Sequence, residues 1–118
     1  TVKTIMFAIY DTKSMNYTAP YCIPRVELAL RSFGELVLDE ETQVGKYPED
    51  HQLVMVGEYD TETAEIAPET IPVVVINGLE LQTTLKDAMA ARQRKLDEIP
   101  SADDTYSEIA EGKRNGPQ

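Results

Sequence analysis

The sequence predicts an α+β fold: a mainly antiparallel sheet of four or five strands with two amphipathic helices. Short β-rich runs are punctuated by Pro, Gly, Asn and Asp, and two stretches carry apolar residues at helical spacing. Hydrophobic residues make up 42% and charged residues 27% of 118, an ordinary globular balance. A chain of this length forms one domain and hides roughly two-thirds of the surface its unfolded form would expose. We place that domain at residues 1–100 and read 101–118 as a polar C-terminal tail.

The first element is a strand over residues 4–10. Ile5, Phe7 and Ile9 share one face and Met6, Ala8 and Tyr10 the other, so both faces are apolar and the strand belongs inside the sheet. Thr12 to Ala19 is polar, and Pro20 and Pro24 bracket the entry to a helix over residues 24–38. There Val26, Ala29, Leu30, Phe33, Leu36 and Val37 form an apolar stripe, Pro24 suits the first turn, and Glu27 to Arg31 is a favourable i,i+4 pair. Leu28 lies on the opposite face and should be partly exposed or make a contact there.

Residues 39–50 read as a loop. A strand over 53–59 then turns at Asp60-Thr61-Glu62-Thr63 into a short return strand near residues 64–66. Pro68 and Pro72 break the chain. Val73 to Ile76, Asn77-Gly78 and Leu79 to Leu81 form a second hairpin pattern, because a type I′ turn favours Asn-Gly. Thr84 with Asp87 resembles a capping box, and Leu85, Ala88, Met89, Leu96 and Ile99 mark a second helix over 83–98, ended by Pro100. The first helix should cover one face of the sheet, and the second should close the other or mediate association. In the tail only Tyr106 and Ile109 could serve as apolar anchors.

The chemistry is bounded by what is scarce. The formal charge is −10, with the acid excess spread over both halves, and it opposes uniform binding of nucleic acid phosphates. No glycine-rich phosphate loop occurs. With one His and one Cys, a zinc centre of N and S ligands cannot be assembled, and Cys22 has no disulfide partner in the chain. The acids at 39–41, 49–50 and 103–104 read as solvated faces, so no metal and no cofactor are expected. Cys22 in Tyr-Cys-Ile-Pro looks like a packing residue, and a nucleophile would have only His51 as its base, so no catalytic residue is assigned and an enzyme is not expected. The absence of a long apolar run and of a basic-then-apolar opening argues against a membrane, and the lone thiol suits a reducing compartment.

Positive charge gathers in one place: residues 83–96 hold Lys86, Arg92, Arg94 and Lys95 against Asp87. At helical spacing these four form a collar and not a stripe, so they are the candidate nucleic-acid contacts but would bind weakly and lose affinity with salt. The same charges near a helix C-terminus are also favoured by the helix dipole.

Four ordered segments carry a resemblance. They are Tyr10-Asp11-Thr12-Lys13; Ala29-Leu30-Arg31-Ser32-Phe33; Lys46-Tyr47-Pro48-Glu49-Asp50-His51-Gln52-Leu53; and Gly57-Glu58-Tyr59-Asp60 with Thr63. Together they resemble the small nonstructural protein of the gokushovirus-type microviruses (Microviridae), single-stranded DNA bacteriophages that include the chlamydial phages. The likeness covers residues 4–66; Ala64 stands where the family usually has Gly, and 71–118 is an extension. Its motif residues here are Asp11, Lys13, Arg31, Phe33, Lys46, Pro48, Glu49, Asp50, Gly57, Glu58, Tyr59 and Asp60. The residues alone assign several of these to structure, with Pro48 and Asp50 ahead of a strand, Asp60 at a turn and Phe33 in the core.

The resemblance implies a non-enzymatic accessory protein of viral DNA synthesis or packaging in the host cytoplasm. It would act through other viral or host proteins, such as the replication machinery or the procapsid, and could form a homo-oligomer. Two alternatives stay open. A direct single-stranded DNA-binding protein would use the collar with Tyr47, Tyr59 or Tyr106 for stacking. A minor virion component would occur in particles at fixed stoichiometry.

Overall fold

The computed structural model describes residues 2–100 and Ile109. The expected tail, with Asp103, Asp104 and Tyr106, lies outside the described residues; Ile109, expected as an anchor, is 51% exposed. The chain forms two units, residues 1–85 and 86–118. The first is an α+β structure around a five-stranded antiparallel sheet. In chain order it contains β1 (Lys3–Asp11), β2 (Asn16–Tyr17), β3 (Tyr21–Ile23), α1 (Val26–Leu38), α2 (Gln43–Lys46), a 3-10 turn (Pro48–Asp50), β4 (His51–Asp60) and β5 (Ile66–Asn77). It also holds the start of α3 (Gly78–Asp97).

The strand order is β2-β1-β4-β5, with β3 also pairing β1. Ile5, Phe7 and Ile9 of β1 face α1, and the register sets Phe7 opposite Met55 and Ile9 opposite Leu53. Phe7, Leu53, Ala29, Phe33 and Val37 are fully buried in one cluster. Between Met6 and Phe7 the register shifts, so that Val56 is an extra residue on β4.

The first helix is where its periodicity places it, and Leu28 is 37% exposed as its position off the stripe requires. Two details differ. Pro24 lies ahead of the extended N-cap Arg25 and not in the first turn. Glu27 and Arg31 make no ion pair among the described residues, consistent with the small value of such exposed pairs.

The polar segment before α1 is not plain loop. It supplies β2 and β3, which add a second edge to β1. The expected loop 39–50 is also structured. Thr42 Oγ1 accepts from Gly45 N at 2.9 Å and opens α2, and Pro48 starts the 3-10 turn.

The largest departures lie at 64–81. Instead of two strands separated by prolines, β5 runs continuously from Ile66 to Asn77. As an edge strand it can leave a proline nitrogen unpaired, and residues 69–72 bulge opposite the single residue Val56. Asn77-Gly78 makes no hairpin. Asn77 Oδ1 accepts from Leu79 N at 2.8 Å, capping α3, which begins five residues earlier than expected and leaves Thr84 inside the helix.

Gly78 is required by a close approach, since a Cβ there would clash with the Pro48 carbonyl oxygen. Leu81 and Leu85 then lie on the α1 side of the sheet, next to Gly34, and do not close the opposite face. Gln82 Nε2 donates to Val37 O at 2.7 Å, satisfying a carbonyl at the end of α1. In the second unit the stripe residues Met89, Leu96 and Ile99 are all exposed.

Two substitutions test these assignments. A Cβ at Gly45 would clash with the backbone carbonyl of Asp39 and lie 2.9 Å from Leu36 O. Gly45→Ala should therefore lower stability by about 1–3 kcal/mol, read as a lower urea midpoint with an unchanged slope. Asn77→Ala should cost about 1 kcal/mol or more through the lost cap, and Asn77→Ser, which like Ala lacks the Nδ2 donor but keeps a capping oxygen, clearly less. Equal midpoints for the two variants would contradict the capping role.

Candidate functional site

The first and third sequence motifs meet at one end of the sheet. β1 ends at Asp11, whose Oδ1 accepts from Lys13 N at 2.9 Å and Ser14 N at 3.4 Å, closing the turn to β2. Met15, in the left-handed region at φ 57°, completes that turn. Thr12 donates through N and Oγ1 to Asp50 O at 2.8 and 3.1 Å, which ties the turn to the start of β4.

The antiparallel register puts His51 directly opposite Asp11. His51 is buried, 7% exposed, and its Nδ1 lies 2.8 Å from Tyr47 O. A carbonyl can only accept, so Nδ1 carries a proton and donates it. Nε2 is left facing Asp11 Oδ2 at 3.9 Å. Asp11 is held below the ordinary carboxylate range, chiefly by the Lys13 backbone N–H, with further help from Ser14 and the His51 ring. It is therefore ionised at neutral pH.

Beside this pair opens a cleft of about 330 Å³, bounded among others by Ile9, Asp11, Asn16, Thr18, Val44 and His51. Ile9 and Val44 supply apolar walls, and the rest supply hydrogen-bonding groups. Such an arrangement can hold a small polar or charged group against one carboxylate oxygen and one imidazole nitrogen.

His51 is the site residue that sequence reasoning misses, since it weighs the ring only as a metal ligand and as a base for a nucleophile. The available signal was its being the only imidazole, set directly after Pro48-Glu49-Asp50.

The remaining motif residues mostly shape the backbone. Pro48 is buried at the head of the 3-10 turn, and Glu49 O accepts from Asn77 Nδ2 at 3.1 Å. Asp50 acts through its carbonyl. Lys13, Arg31 and Lys46 are exposed, and Phe33 is fully buried. Gly57 is buried where a Cβ would meet Ala67 O at 2.7 Å, and Tyr59 sits opposite Ile66. Glu58 pairs with Lys3 at 3.7 Å, a solvated contact. Asp60 Oδ1 accepts from Glu62 N and Thr63 N at 2.9 and 3.3 Å, the turn role its position predicts.

Lys86, Arg92, Arg94 and Lys95 are all exposed on α3 within the second unit. They lie apart from the motif residues in sequence and are distributed around the helix axis, as the spacing requires. Cys22 is exposed on β3 and is not the packed residue its neighbours suggested. Its place opposite Met6 puts it on the sheet face away from α1. Among the described residues no group of three or more His, Cys, Asp or Glu is arranged to hold a metal ion. No helix among them is long and apolar enough to cross a membrane.

The profile of the phage ORF5 protein family matches residues 4–81, about two-thirds of the chain. No curated protein and no solved structure matches. The matched span contains the four segments that carry the resemblance, all of the sheet but its first residue Lys3, and the Asp11–His51 cleft. The chain belongs to the phage ORF5 protein family.

Proposed function

We propose that this phage protein is a non-enzymatic accessory factor in the synthesis or packaging of single-stranded viral DNA, acting in the host cytoplasm mainly through contacts with other viral or host proteins. Gokushovirus-type microviruses are the phages whose small nonstructural protein its motifs resemble. The observation that carries the protein-contact reading is electrostatic. The molecule is strongly acidic at −10, and its candidate cationic residues encircle one helix without lining a groove. The replication machinery and the procapsid are the partners that suit such a factor.

Direct binding of single-stranded DNA is the second reading, and the exposure of Lys86, Arg92, Arg94 and Lys95 is what favours it. Tyr47, half exposed, could stack on a base, whereas Tyr59 is partly buried. A few phosphate contacts would give modest affinity that falls steeply with salt.

Capture of the tagged full chain from infected cells, with and without nuclease, separates the two readings. Partners identified by mass spectrometry should survive nuclease treatment. Oligonucleotide binding should be weak at physiological salt and should drop further in Arg94→Glu. Partners lost on nuclease treatment, or nanomolar oligonucleotide binding at that salt, would reverse the order of the two readings.

A further inference from the structure

We propose that the cleft beside Asp11 and His51 is a receptor for one cationic side chain, the guanidinium of an arginine presented by a partner protein. Asp11 and His51 face each other there without a direct side-chain hydrogen bond. Asp11 Oδ1 is occupied by the backbone of its own turn, while Oδ2 lies 3.9 Å from His51 Nε2, too far for a direct hydrogen bond. Nδ1 is committed to Tyr47 O, so in the neutral ring Nε2 presents a lone pair. A carboxylate and a fixed imidazole lone pair side by side call for a cationic N–H donor.

The shape of the cleft favours guanidinium over ammonium. Its volume of about 330 Å³ exceeds what a compact ammonium fills, and Ile9 and Val44 offer apolar wall for the weakly hydrated guanidinium faces and the methylene stem. A planar fork with several N–H groups can also reach two acceptors set this far apart, while Asn16 and Thr18 border the same space. The overall charge of −10 attracts a basic partner over distance, and the cleft supplies the local selection.

Receptor and proton compete. The titratable groups lining the cleft are Asp11 from β1, Tyr17 from β2 and His51 from β4; its lining residues from α2, Gln43 and Val44, add none. Once His51 is protonated, Nε2 becomes a donor facing Asp11 Oδ2, which neutralises the carboxylate and repels the guest. Only the identity of the arginine's owner depends on the accessory-protein reading; the receptor is tested without it.

Because His51 is the only histidine, its ring Hε1 gives a single proton NMR line in the full chain. Titration at about pH 8 with doubly blocked arginine should move that line saturably, and the neutral isostere, doubly blocked citrulline, should leave it in place. Asp11→Asn keeps the Oδ1 acceptor of the turn but removes the charge, and should weaken arginine binding by about tenfold or more. Gln43→Arg, an exposed change that sets a competing cation on the rim, should weaken it as well and does not depend on the turn. No saturable shift with arginine, an equal shift with citrulline, undiminished binding in both variants, or a response to magnesium chloride at matched ionic strength in place of arginine would each overturn the proposal.

Discussion

The first unit depends on burying one face of β1 and β4 under α1. Phe7 and Leu53 from the strands and Ala29, Phe33 and Val37 from the helix reach zero exposure together, so no member can be shortened without leaving a void. The other contacts follow from where this burial sets α1. Gly34 leaves room for Leu85, whose Cδ1 would lie only 3.0 Å from a Cβ at that position, and Leu81 joins the same cluster. Gln82 is thereby within reach of the Val37 carbonyl, coupling the end of α1 to the start of α3. The cleft lies at the Ile9 end of the buried face, where the last strand residues and α2 form its walls.

A single local device recurs at the corners of this sheet. Asp11, Asp60 and Asn77 each offer a side-chain oxygen to backbone N–H groups two or three residues ahead. Much of what reads as motif in the sequence is thus turn chemistry. Asp60 is almost wholly buried in that role. Asp11 differs because its second oxygen remains open to a cleft and faces an imidazole. That difference is why one of two similar aspartates is a candidate binding residue and the other is structural.

Period-2 and helical patterns made β1, α1 and β4 legible, because each buries a face against the core and the burial enforces its pattern. The sequence signal at Asn77-Gly78 was strong and misleading. The dipeptide suits a type I′ turn, but a strand at Leu79–Leu81 would forgo the burial of Leu81, and the Asn side chain serves a helix N-terminus equally well. Gly78 is needed for space beside the Pro48 carbonyl and not for a positive φ, which no described glycine adopts. The prolines of β5 misled for a related reason: a strand breaker is tolerated where one edge has no partner and a bulge absorbs it. The candidate site was less legible. Asp11 stood out by its motif, but the approach of His51 depends on the β1–β4 register, which joins residues forty positions apart and leaves no local pattern.

The tautomer of His51 follows from the same backbone geometry. Tyr47 O accepts from Asp50 N at 3.0 Å, closing the 3-10 turn, and its second lone pair takes Nδ1 of the next residue at 2.8 Å. Pro48, at the first position of that turn, has no N–H to leave unsatisfied, so the turn can be buried at its head without cost to the backbone. Pro48-Glu49-Asp50 therefore does more than connect α2 to β4. It fixes a carbonyl at the place that holds one imidazole nitrogen as a donor and leaves the other aimed at Asp11. A change that loosened the turn would free the ring as well, so the fold of this segment and the electrostatics of the cleft cannot be varied independently.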